Sequence, residues 1–211
     1  MTDEADQDGR VRRGQETREA RRSQIKEDAL RVFSEKGYHA TSVTDLVDAA
    51  GVARGTFYLY FDSKDAIFLE LLDDLTAHLR ANIVGIDLSR GPASMEDQLH
   101  ATIVRILRTV ESNQPLTRII FREAVGLDAV VDARLAAFDD ELYGYVARSI
   151  QVGVALGTIR ATDVATAAAS VVGSVREIVY RWVVRSGLPL DVDRVARGVI
   201  DHHLRGLLPR S

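Results

Sequence analysis

A chain of 211 residues that is 46% hydrophobic and 27% charged can bury a sizeable core, which excludes global disorder. It contains no cysteine, so disulfide stapling and thiolate metal sites are excluded, and no run of 18 apolar residues offers a membrane-spanning helix. The formal net charge of -4 is unevenly spread: residues 1–9 hold four acids and no base, whereas residues 10–64 hold 11 Lys or Arg against 8 Asp or Glu. Phosphate binding answers to the local field, so the total leaves a DNA-binding front end open. The polar amino terminus does not read as a secretory signal, and the expected location is the cytoplasm.

Residues 1–16 lack apolar periodicity and are expected to form a disordered tail. Its bases, Arg10, Arg12 and Arg13, with Arg18 just beyond, would either follow a phosphate backbone as an arm or only keep the tail soluble. From Thr17 the pattern is helical, with Ile25, Ala29, Val32 and Phe33 on one stripe. Gly37 ends that helix, because glycine accepts the left-handed geometry of a C-terminal cap. Ser42 followed by Asp45 predicts a capping box opening a second helix, with Val43, Leu46, Val47 and Ala50 inside. Gly51 supplies the turn, and a short third helix starts near Arg54 with Phe57 and Phe61 inward. Ser63 is placed to cap a longer fourth helix, whose apolar face runs from Ile67 and Phe68 through Leu71 and Leu72 to Leu75 and Leu79.

Gly85 and the Gly91-Pro92 pair mark a break. A fifth helix is expected over 94–110, and Pro115 suits the first turn of a sixth, where its missing amide hydrogen costs nothing. Phe121-Arg122-Glu123 would then form a local ion pair at a helix end or point its charges at an opening. Three long helical stretches follow, over 129–156, 163–185 and 191–208. No strand pattern appears. The chain therefore reads as all-α with about nine helices: the tail, a helix-turn-helix domain with its linking fourth helix over 17–84, and a larger helical domain over 85–211. Ala165, Ala168, Ala169, Val172 and Gly173 permit close helix approach, either within the chain or against a symmetry mate.

The segment Phe33-Ser34-Glu35-Lys36-Gly37-Tyr38, then Thr41-Ser42-Val43, Ala50-Gly51-Val52, Gly55-Thr56-Phe57-Tyr58-Leu59-Tyr60-Phe61 and Ser63-Lys64-Asp65 resembles the DNA-binding domain of the TetR family of bacterial transcriptional regulators. The likeness spans residues 22–70 with many fixed offsets; beyond it, only length and helical layout are similar. One departure is Ala53, where the family usually places a serine before the recognition helix. A lost cap costs roughly 1 kcal/mol, so that helix end is expected to be frayed without DNA.

The resemblance implies that Thr44, Arg54, Gly55, Thr56 and Tyr58 face DNA. Arg54 is the candidate for reading a guanine edge bidentately, and Tyr58, Tyr60 and Lys64 are phosphate candidates. Backbone amides near Ser42 and Ser63 are further phosphate candidates at helix amino ends. Tyr60 would otherwise pack on the fourth helix, and Lys64 would otherwise be a surface charge. The resemblance also implies a homodimer through the last two helices, a palindromic double-stranded operator and a small, largely hydrophobic effector that releases it. Candidate effector contacts are Ile103, Leu107, Phe121, Phe138, Leu142, Tyr145, Arg176 and Tyr180, with Arg176 as an anion anchor; taken singly, each is better accounted for as plain core than as a ligand contact. No cofactor, metal or catalytic group is expected, since adjacent His202 and His203 point about 100° apart on a helix. Competing readings are an effector-independent regulator or architectural protein, and an activator or global regulator.

Overall fold

The structure, a computed structural model, describes residues 2–87, 91, 95–124, 126–160, 162–187 and 189–205, with 2–13 described as backbone. All regular structure among the described residues is helical. The chain divides into two compact units, Met1–Asp73 and Asp74–Ser211.

In the first unit, α1 spans Thr2–Lys36, α2 Val43–Ala50 and α3 Arg54–Tyr58, and the first half of α4 (Lys64–Asn82) completes it. Over the stretch read from sequence as a tail, the backbone is helical from Thr2. No proline interrupts that stretch, and its Glu, Gln and Arg residues are good helix formers. Arg10, Arg12 and Arg13 lie outside the described side chains. Burial follows the predicted stripes: Ile25, Ala29 and Phe33 of α1, Leu46 of α2, Phe57 of α3, and Ile67, Phe68 and Leu72 of α4 are almost fully buried. Tyr38 joins them, its ring 5.1 Å from Phe33 and 5.0 Å from Phe68, and its hydroxyl donates to the Asp65 carboxylate.

The capping box is present in both directions. Ser42 Oγ accepts from the Asp45 amide at 3.2 Å, and Asp45 Oδ2 accepts from the Ser42 amide at 2.7 Å. Lys36 Nζ donates to the same carboxylate oxygen at 2.7 Å. Lys36 first, then Ser42, hold the Asp45 carboxyl well below its ordinary value of 3.8. A carboxyl depressed in the folded state contributes stability above its unfolded value and loses it as pH falls through the lower folded one. Asp45→Asn is therefore expected to flatten the acid limb of stability between roughly pH 5 and 2, checked by urea unfolding at stepped pH. An acid limb as steep as the wild type's would remove Asp45 from this role. Gly51 then turns the chain with φ 61°, in the left-handed region that a side chain would strain.

The second unit holds the rest of α4 and five further helices: α5 (Met95–Ser112), α6 (Gln114–Ile119), α7 (Ala129–Ala155), α8 (Val164–Val179) and α9 (Val192–Arg205). Pro115 sits in the first turn of α6 as expected. Residues 92–94 and 206–208, at the expected ends of the fifth and last helices, lie outside the described residues. Val192, Val195, Ala196, Val199 and Ile200 are buried at spacings of three, one, three and one, which aligns them on a single face of α9. That face packs on α5 and α8, while α7 packs along α8.

Two π-helical turns were not legible in the sequence. One continues α6 over Ile120–Ala124, and the other continues α8 over Tyr180–Ser186. The last carbonyls of a helix have no partner within it. Here Val183 O accepts from Gln114 Nε2 at 3.3 Å and Arg118 Nε at 3.1 Å, and Val184 O accepts from an Arg122 terminal nitrogen at 2.9 Å. Gly187 closes this end with φ 64°, and a Cβ there would lie 2.5 Å from the Arg118 guanidinium. Arg122, expected either in a local ion pair or at an opening, bonds the end of the α8 segment.

Candidate functional site

Five residues are too few for α3 to be stable alone, since nucleation fixes several dihedrals for little return. Its start is uncapped: Ala53 is extended and offers no side-chain bond. What holds the segment is underneath it. Phe57 is 0% exposed and Phe61 is 2% exposed, with ring centroids 6.4 Å apart. Arg22 of α1 reaches the same place. One of its terminal nitrogens donates to the Tyr60 carbonyl at 2.7 Å, its Nε donates to Glu70 at 3.0 Å, and its guanidinium carbon lies 4.3 Å from the Phe61 ring centroid. The Glu70 contact raises the Arg22 pKa further, so the clamp remains charged.

The outer surface is complementary to that anchoring. Thr44, Arg54, Gly55 and Tyr58 are exposed or half-exposed, and Thr56 is half-buried. Arg54 and Tyr58 lie one turn apart, with the guanidinium carbon 5.9 Å from the ring centroid. Leu59, absent from the candidates above, is 71% exposed. An apolar side chain left in water beside a basic one suits a thymine methyl or a sugar face. Its signal was present in the sequence, as the one residue between Tyr58 and Tyr60 that a four-residue spacing does not turn inward.

Two expected phosphate contacts are otherwise engaged. The Ser42 amide donates to Asp45, as described above, and the Ser42 hydroxyl donates to the same carboxylate at 2.6 Å. Lys64 Nζ donates to the carbonyls of Tyr38 and Thr41, both at 3.0 Å, and stands 4.6 Å from the Tyr38 ring centroid. Lys64 thus closes the loop between α1 and α2. Lys64→Ala is expected to lower unfolding stability by about 1.5–3 kcal/mol, the range for hydrogen bonds to a charged group. A phosphate role alone predicts unchanged stability and a salt slope of DNA binding smaller by about one. Chemical unfolding together with binding at several salt concentrations separates the two. Ser63 Oγ accepts from the Ala66 amide at 3.1 Å, which makes it the cap of α4.

The eight candidate effector residues fall into separate groups. Phe121 and Tyr180 stack with centroids 6.1 Å apart, and the Arg176 guanidinium carbon lies 5.8 Å from the Phe121 ring. Arg176 also forms an ion pair with Asp139 at 2.7 Å, with both side chains about half exposed. Phe138 lies under Arg80, at 5.5 Å from its guanidinium carbon. Tyr145 donates to the Val84 carbonyl at 2.6 Å, and burial pushes its hydroxyl pKa up. Leu107 is almost fully buried, while Ile103 and Leu142 are half-buried.

A cleft of about 410 Å³ opens elsewhere in this unit, along α4 and α5. His78 and Asn82 line it from α4, and Arg105, Arg108, Thr109 and Ser112 line it from α5, with Asn113 at its end. That volume lies within the range of small-molecule sites.

A buried aromatic underside, a glycine turn between two short helices and an outward Arg-Gly-Thr-Tyr surface define a helix-turn-helix DNA-binding regulator of transcription. Family models match both parts of the chain: "Bacterial regulatory proteins, tetR family" over residues 25–71, and "Tetracyclin repressor-like, C-terminal domain" over residues 92–207. The chain belongs to the TetR family. It is similar to the HTH-type transcriptional repressor KstR2 of Rhodococcus jostii, 28% identical over 195 residues that cover 89% of this chain and 91% of that protein. Among solved structures it resembles the TetR family regulator PfmR of Thermus thermophilus, 29% identical with a TM-score of 0.71, covering 88% of this chain and 96% of that one. The same fold is found in AibR, solved with isovaleryl coenzyme A and operator DNA, at 20% identity and a TM-score of 0.67, covering 87% and 98%. No helix among the described residues is long and apolar enough to cross a membrane.

Proposed function

We propose that two copies of this chain join through α8 and α9 and repress transcription from a palindromic operator, releasing it when a small, largely apolar molecule binds the second unit. The observation that carries the DNA half is the division of residues 54–61 into a buried Phe57/Phe61 face and an exposed Arg54/Tyr58/Leu59 face. Arg54 reads a base edge, Thr44, Gly55, Thr56 and Tyr58 line the groove, and Tyr60 stands at its margin. The outer surface of α8, with Ala165, Ala169 and Gly173 exposed, lets a second helix approach closely, and a twofold protein matches a twofold operator. AibR supports the effector half only as an instance of one fold that takes both a small molecule and DNA. The setting is cytoplasmic, and the chain acts by binding, with no catalysis of its own.

Release requires that effector and operator favour different arrangements of the dimer; a tenfold loss of DNA affinity takes about 1.4 kcal/mol of coupling. The test is selection of bound duplexes from a random pool, then a metabolite screen by thermal shift with each hit assayed for operator release. A dimer that enriches an inverted repeat and lets it go with one hit is the expected result. Enrichment with no releasing compound would leave an effector-independent regulator, and no enrichment would overturn the reading.

A further inference from the structure

The cleft along α4 and α5 differs in chemistry from the apolar residues assigned to the effector. None of its lining residues is acidic, although the chain as a whole carries a net charge of -4. Two arginines line it from α5, Arg105 and Arg108, at the three-residue spacing that puts side chains on one face of a helix.

Arg105 is half-buried and braced. Its Nε donates to the Asn82 carbonyl at 3.3 Å and one terminal nitrogen donates to Thr102 Oγ1 at 2.9 Å, which leaves the other terminal nitrogen for a ligand. Bracing matters because a pre-oriented guanidinium loses less freedom when it binds. Arg108 is the mobile partner. It meets the Asp193 carboxylate at 3.4 Å, and both side chains are more than half exposed (63% and 51%). An ion pair so placed contributes little and yields readily to a stronger anion.

The floor is held by amides and hydroxyls. Asn82 Nδ2 donates to Thr109 Oγ1 at 2.9 Å and to the His78 carbonyl at 3.0 Å, and Asn113 Nδ2 donates to the Thr109 carbonyl at 2.8 Å. These bonds brace the cleft, and Ser112 and His78, which also line it, are exposed. Two positive forks over a neutral, hydrogen-bonding floor match an anion with several acceptor oxygens, and phosphate groups pair with guanidinium bidentately.

We propose that this cleft binds a phosphorylated small molecule through a diphosphate group, with Arg105 and Arg108 as its cationic clamp. One phosphate engages the braced Arg105, and the next draws Arg108 away from Asp193. The site is separate from the residues assigned to the apolar effector, and its occupancy does not depend on operator release.

The experiment is calorimetric titration of the full-length protein with pyrophosphate, ADP and coenzyme A, with acetate as the control anion. Saturable binding of the diphosphates and none of acetate is expected. Arg108→Gln should weaken that binding at least tenfold. Ser112→Glu places a carboxylate at the exposed edge without disturbing the core, and it should weaken binding at least as much with an unchanged unfolding midpoint. Equal affinity for ADP and pyrophosphate identifies the diphosphate itself as the recognised group. A tenfold preference for coenzyme A identifies a thioester carrier's nucleotide as the source of the same group. Absence of binding by all three, or binding that neither variant alters, overturns the assignment. Operator release is read in a separate assay, so failure of induction and failure of the cleft are told apart.

Discussion

Arg54→Ala is expected to flatten the operator preference of the protein, with about 1–3 kcal/mol of discrimination lost at one base pair in each half-site. Arg54 is exposed at the first position of α3, and its side chain lies by the neighbouring Tyr58 ring. It is thus free to turn toward a guanine edge, where two hydrogen bonds depend on the identity of the base. Comparing enriched sequences for the wild type and variant over a randomised half-site reads the effect directly. Loss of affinity spread evenly over all sequences would make Arg54 a phosphate contact, and an unchanged profile would remove it from the interface. Fold stability should stay the same, because the residue buries nothing.

Phe57→Ala is expected to act from the opposite side of the same helix, with a cost of about 3–5 kcal/mol. Phe57 is fully enclosed and stacks near Phe61, and α3 has neither the length nor an N-terminal cap to persist without it. That loss is a large share of the roughly 5–15 kcal/mol that keeps a domain folded. Thermal unfolding followed by circular dichroism should show an earlier transition, with specific DNA binding reduced to background. Phe57→Leu, which keeps most of the buried volume, should restore much of both. If Phe57→Ala abolished DNA recognition without moving the unfolding transition, the ring would belong to the interface and not to the core.

These two variants also show how much of the site was legible beforehand. The spacing of Phe57 and Phe61 and the glycine at 51 predict which side of the segment is buried, since they depend only on helical period and on the φ angle of a turn. The capping box was legible for the same reason: Ser42 and Asp45 interact over three residues. Lys64 was not. Its use as a clamp on the Tyr38 and Thr41 carbonyls depends on atoms more than twenty residues away, so its charge alone pointed equally well to phosphate. The same holds for Arg22, which reads as one more base in a basic stretch until Glu70 and the Tyr60 carbonyl are placed around it.

In the larger unit the balance shifts further toward tertiary structure. The buried stripe of α9 follows from its apolar spacing, but the π-helical turns after α6 and α8 have no local sequence signal. In the second, the carbonyls of Val183 and Val184 are satisfied by Gln114, Arg118 and Arg122 from another segment. Arg176 pairs with Asp139 and Arg108 with Asp193, partners on other helices that local sequence does not name, and Arg105 and Arg108 come to line one cleft only where α4 lies against α5.

Sequence alone determined the helical class, the ends of the short helices and the family likeness of the DNA-reading segment, because periodicity, caps and turns act over a few residues. Tertiary structure decided which charged side chains are free to meet a ligand. An arginine or lysine has the same local pattern whether it is exposed or spent on a distant carbonyl or carboxylate, and only the packed chain brings those partners within hydrogen-bond range.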